Sequence, residues 1–89
     1  MSDAQRLYAV YLGGDLVPGR MGEDHEVVFV VASDVEQARQ NAKLKWRGHE
    51  RAHIDAVREL DTIDGFAVRL EPTAAPENPR IDSTYVPAD

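Results

Sequence analysis

Cysteine is absent from this 89-residue chain, which excludes disulfides and thiolate metal sites and fits a reducing compartment, so a cytoplasmic location is expected. Long hydrophobic runs are missing as well. The longest, Val27 to Ala32, is six residues, against about 20 for a helix that spans a bilayer. The first residues, MSDAQR, hold no apolar stretch, so no signal peptide is expected. Basic residues are in deficit: 10 Lys and Arg face 16 Asp and Glu, for a formal net charge of −6. That balance argues against a nucleic-acid backbone or an anionic membrane as partner. At 89 residues the chain is long enough for one domain and too short for two, and a modest core is expected.

What is present reads as a mixed α and β chain. Arg6 to Leu12 (RLYAVYL) is aromatic and aliphatic on both alternating faces and is stopped by Gly13-Gly14, the pattern of a central strand. Gly13 to Asp24 carries four glycines and Pro18 and reads as a long loop. His25 to Ala32 (HEVVFVVA) is β-branched and apolar on both faces, a second strand. Ser33 with Glu36 forms a capping box, and Asp34 adds negative charge at the helix N-terminus. Val35, Ala38, Ala42 and Trp46 then recur on one helical stripe. Lys43, Lys45 and Arg47 suit the C-terminal dipole and Gly48 stops the helix, which should run from about Asp34 to Arg47.

Glu50 to Leu60 admits two readings. As a helix it places Ala56, Val57 and Leu60 together; as a strand it places His53, Asp55, Val57 and Glu59 on one face and Ile54, Ala56, Arg58 and Leu60 on the other. Asp64-Gly65 is a hairpin turn signal, and Phe66, Val68 and Leu70 alternate as if facing inward. A hairpin needs a strand before its turn, which favours the extended reading. From Pro72 the chain is rich in proline and poor in large apolar residues. Residues 1–71 are therefore expected to form one domain and 72–89 a tail, disordered or docked through Ile81 to Val86 as a short strand.

The succession Leu7-Tyr-Ala-Val-Tyr-Leu-Gly-Gly14, His25-Glu26 entering Val-Phe-Val-Val-Ala32, a helix ending in Trp46, then His53-Ile-Asp55 and Asp64-Gly65-Phe66 resembles a small bacterial family, domain of unknown function 1543. The resemblance spans about Leu7 to Leu70. It implies that His53-Ile-Asp55 opens a strand, and it brings no activity with it.

Four constellations are candidates for chemistry. His49-Glu50-Arg51-Ala52-His53 spells HExxH, whose zinc chemistry needs both imidazoles on one helical turn. Gly48 is poor inside a helix, Arg51 sets a cation beside the site, and a strand start at His53 would spread the pair to about 13 Å at about 3.3 Å per residue. The pattern is therefore expected to be a connector, with no metal and no cofactor. Gly14 to Met21 has the spacing of a phosphate loop, yet Arg20 and Met21 replace its Lys and Ser/Thr and no helix follows. The third candidate is a carboxylate–imidazole cluster. His25 with Glu23 or Glu26, and His53 with Asp55, converge if both strand starts lie at one sheet edge. No serine or threonine beside these histidines forms a nucleophile motif. The fourth is a cationic helix face of Arg39, Lys43 and Arg47, suited to an acidic partner or to solvent.

The expected fold is α+β, β-β-α-β-β, with a four-stranded, mostly antiparallel sheet and one helix on one face. Because one helix shields one side, and the first two strands are apolar on both, the tail or a second subunit must cover the rest. A homodimer is the expectation. The function expected is a binding or interaction module, with an unidentified small ligand or protein partner. The alternative is a small acid/base or metal-assisted enzyme using His25, His53 and Asp55.

Overall fold

A computed structural model describes residues 4–14, 22, 24–47 and 52–74. The elements run β1 (Arg6–Gly14), β2 (Asp24–Ala32), α1 (Val35–Lys45), β3 (His53–Glu59), β4 (Thr62–Ile63) and β5 (Phe66–Ala67). The class is α+β. β1 is the centre of a three-stranded sheet of order β2-β1-β3 in which both pairings are antiparallel, as its two apolar faces anticipate. Within the segment that admitted two readings, His53–Glu59 is strand, β3, and residues 48–51 lie outside the described residues.

The expected fourth strand of that sheet is instead a separate hairpin. β4 and β5 pair only with each other, through an Asp64-Gly65 turn with φ of 53° and 83°, the doubly positive turn that suits Asp-Gly. The Leu60 amide still donates to the Leu7 carbonyl at 2.8 Å, and beyond it the chain closes on itself, the Val68 amide donating to the Asp61 carbonyl at 2.9 Å. Phe66 is 76% exposed and Leu70 38%, so these side chains do not face inward as their alternation suggested.

The helix is a little shorter than expected and its cap is displaced by one residue. Asp34, not Ser33, is the N-cap: its Oδ1 accepts from the Gln37 amide at 2.8 Å. Gln37 Oε1 in turn accepts from the Ser33 amide at 2.8 Å. Glu36, the expected box partner, pairs with Arg39 at 3.3 Å. The extended ψ of Trp46 ends the helix at Lys45. Of the expected apolar stripe, Ala38 and Ala42 are fully buried and Trp46 packs at the margin, while Val35 is 41% exposed.

The core lies between α1 and one sheet face. Tyr8, Val10 and Leu12 from β1, and Val30 and Ala32 from β2, meet Ala38, Ala42 and Ala52 there. Two alanines at the contact let helix and sheet approach closely, so the larger strand side chains fill the layer. The Tyr8 hydroxyl is buried with no hydrogen-bond partner among the described residues, a local cost of about 1–3 kcal/mol. β2 is an edge strand, and α1 reaches over to it: Lys45 Nζ donates to the Phe29 carbonyl at 2.6 Å and Asn41 Nδ2 to the Val31 carbonyl at 3.4 Å. Occupied carbonyls leave a stray strand less to pair with.

Candidate functional site: a histidine–aspartate cluster on an open sheet face

Opposed residues of an antiparallel pair share a face, so register decides which side chains meet. Gly13 on β1 stands opposite His25 on one side and His53 on the other. The two histidines therefore flank one glycine, on the face away from the helix. Asp55 joins them because β3 is bulged. Leu12 pairs with Ile54 and Tyr11 with Ala56, leaving Asp55 as the extra residue.

The bulge also corrects the expected faces of β3. Ile54 and Val57 both pack against the core, although an unbroken alternation would place them on opposite sides. His53, Asp55, Ala56 and Arg58 take the open face; Ile54, Val57 and Glu59 take the helix side. No single pleat brings both apolar residues inward, and the extra residue does.

His25 Nε2 lies 3.5 Å from Asp55 Oδ2, and His53 Nε2 lies 3.2 Å from Asp55 Oδ1. The three side chains are 36–49% exposed, so the cluster is a surface site and not an enclosed one. A Cβ at Gly13 would fall 2.7 Å from His53 Nε2 and 3.1 Å from both Asp55 Oδ2 and His25 Cδ2. Only a glycine leaves room for the three groups to close over the strand. Tyr11, the next open-face residue of β1, stacks on His25 with centroids 5.0 Å apart and planes 9° from parallel.

That stack joins the cluster to an apolar row. On the same face Tyr11 is 40% exposed, Val27 51%, Phe29 56% and Val31 46%. Beyond Val31 the face runs into an open cleft lined by Ala4, Gln5, Leu70, Pro72 and Thr73. The face thus has a polar end at the cluster, an apolar middle, and Arg58 alongside, opposite Ala9.

Other candidates are not part of this arrangement. Glu26 belongs to the helix side, where its Oε2 accepts from Arg47 Nη2 at 2.8 Å and from Nε at 3.2 Å. Its side chain is only 12% exposed, so this pair closes the edge of the core and does not serve His25. The cationic face is broken up in the same way, Arg39 turning to Glu36 and Arg47 to Glu26. Glu23, the phosphate-loop look-alike beyond Gly14, and His49, Glu50 and Arg51 of the HExxH letters lie outside the described residues. Among the described residues no three His, Asp or Glu side chains are arranged to hold a metal ion: the imidazoles approach different oxygens of one carboxylate. Gly13 and Tyr11 escaped the sequence reading, because only the strand register reveals that they touch these histidines.

A family model matches residues 20–70, from the approach to β2 through the β4–β5 hairpin, under the description Domain of Unknown Function (DUF1543). The chain belongs to the DUF1543 family. The match takes in His25, His53 and Asp55 of the cluster but stops short of Tyr11 and Gly13 on β1. No curated protein and no solved structure matches this DUF1543 chain. No described helix in it is long and apolar enough to cross a membrane.

Proposed function

We propose that this DUF1543 chain is a non-enzymatic interaction module that pairs with a second copy of itself through the open sheet face. The observation that carries the reading is the row Tyr11, Val27, Phe29 and Val31, each 40% or more exposed on the face away from α1, with the described residues 70–73 bordering it at Val31. A contiguous exposed row of two aromatic side chains and two valines is of the kind that marks an interaction surface. It would form the apolar middle of an interface of about 800 Å² per partner.

A second copy is favoured over an unrelated partner for two reasons. A two-fold pairing needs a self-complementary patch, and this face carries both a cation, Arg58, and a carboxylate, Asp55, beside its apolar row. Edge-to-edge growth through β2 is opposed by Lys45 and Asn41 on its carbonyls. The cluster is too open to exclude water from a reaction, which favours binding over catalysis. Cytoplasmic residence remains the expectation from cysteine usage.

Light scattering on the full chain tests the reading. Wild type should have twice the 9.9 kDa mass of one chain, and Phe29→Asp, which sets a charge at the centre of the patch, should weaken pairing about 30-fold or more. A wild-type chain that scatters as a monomer would sink the proposal.

A further inference from the structure

The β4–β5 hairpin takes no part in the core. It packs against no other described element, and a two-stranded hairpin on its own is marginal in water. Its tip nonetheless carries two large apolar side chains. Ile63 and Phe66 stand opposite each other beside the turn, so they share one face of the hairpin, and they are 46% and 76% exposed. Asp64 sits between them at the turn, with its φ of 53°. Resting on the self-association reading above, we propose that each copy sets this hairpin on the open face of the other, Phe66 seating at Ala9 and Asp64 meeting Arg58.

The register of the sheet supplies the seat. Across the open face, Ala9 on β1 lies between Phe29 on β2 and Arg58 on β3. Along β1 its neighbours on that face are Leu7 and Tyr11, and Ala56 stands opposite Tyr11. Two alanines are thus diagonal neighbours among larger side chains. With only a methyl group on the central strand, the face dips at Ala9, walled by Phe29 and Tyr11 and rimmed by Arg58. A ring set there meets apolar atoms on two sides and a guanidinium on the third, a cation beside an aromatic ring.

Charge points to a second copy as the occupant. The hairpin is acidic, through Asp61 and Asp64, and the seat is basic, through Arg58. Among the described residues the side chains of Arg58 and Asp64 make no ion pair. One chain therefore supplies both halves of the contact: an apolar tip with a carboxylate, and an apolar seat with a guanidinium. A two-fold axis makes such a contact twice, and reciprocal docking covers the row on the face away from α1. A direct stack of face on face would cover the row and leave both hairpin tips in water. The hairpin is already closed by its turn and by the Val68 amide on the Asp61 carbonyl, so docking orders little new backbone.

The chain has no cysteine, so single introduced thiols report the contact. Ala9→Cys and Phe66→Cys chains, mixed and oxidised in air, should form a disulfide between positions 9 and 66 about fivefold or more in excess of either like-with-like product. By sedimentation equilibrium, Phe66→Ala should raise the dissociation constant about tenfold or more. Phe66 lies outside the core, so its circular dichroism should match wild type. Asp64→Asn keeps a residue that suits the turn and should weaken pairing about threefold, but not in a chain that already carries Arg58→Gln. Equal losses in both backgrounds would overturn the Asp64–Arg58 contact. A disulfide between two Ala9→Cys chains as the main product, with Phe66→Ala pairing as tightly as wild type, overturns hairpin docking in favour of stacked faces and leaves self-association standing. A wild-type chain that is monomeric throughout removes self-association, and the exchange of hairpins with it.

Discussion

Gly13 shows how one missing side chain shapes the site. The atoms a Cβ would meet there are the ends of His53, Asp55 and His25, all partly exposed. These ends can swing into solvent, so Gly13→Ala should cost less than about 1 kcal/mol in urea denaturation. It should nonetheless pull the cluster apart and turn His25 off the Tyr11 ring. Imidazole NMR signals of both histidines should move together in the variant. Signals that stay in place would show that Gly13 is not what lets them meet. The residues of this cluster were legible in the sequence as a carboxylate and two histidines near strand starts. Their meeting was not, because it depends on which residues of β1 stand opposite them, and no local pattern specifies a register.

At the scale of elements, the strength of each local signal decided what could be read. The helix declared itself through its cap region, alanine stripe and basic end, yet its first residue was misplaced by one. Ser33 and Asp34 are both good caps; Asp34 takes the role, its Oδ1 accepting from the Gln37 amide, while the Ser33 amide and hydroxyl both donate to Gln37 Oε1. Asp34→Ala should accordingly destabilise the chain by about 1 kcal/mol, and Ser33→Ala by less, in thermal or urea unfolding. Equal losses would put the cap back at Ser33. β3 was harder to read, since an extra residue disrupts the period by which strands are recognised. The hairpin turn was plain from Asp64-Gly65, whereas its separation from the sheet was not, because no local pattern says whether a hairpin joins a sheet edge or pairs only with itself.

For the whole molecule, the decisive relation is between one helix and a sheet with two apolar sides. The buried side is built from Tyr8, Val10, Leu12, Val30 and Ala32, and the other keeps Phe29 and its neighbours in water. That surplus was visible in the sequence, because β1 and β2 are apolar at odd and even positions alike. Which elements cover it was not, since coverage is a property of assembly and not of periodicity. Pairing should make stability depend on concentration. For a pair unfolding in one step, the melting midpoint should climb by about 4 °C for each tenfold rise in protein concentration. A midpoint that does not move with concentration would mean that the open face stays unpaired.

The extra residue in β3 has a consequence for how this sequence can vary. On either side of Asp55 the strand obeys opposite rules for which positions are oily and which are wet, so its length is under tighter control than its composition. Exchanging Ile54 or Val57 for another aliphatic residue keeps both rules. Deleting a single residue between them merges the two halves into one, and then either the core loses a side chain or the histidine loses its aspartate. A chain of this design should drift freely in spelling along β3 while holding its count of letters fixed.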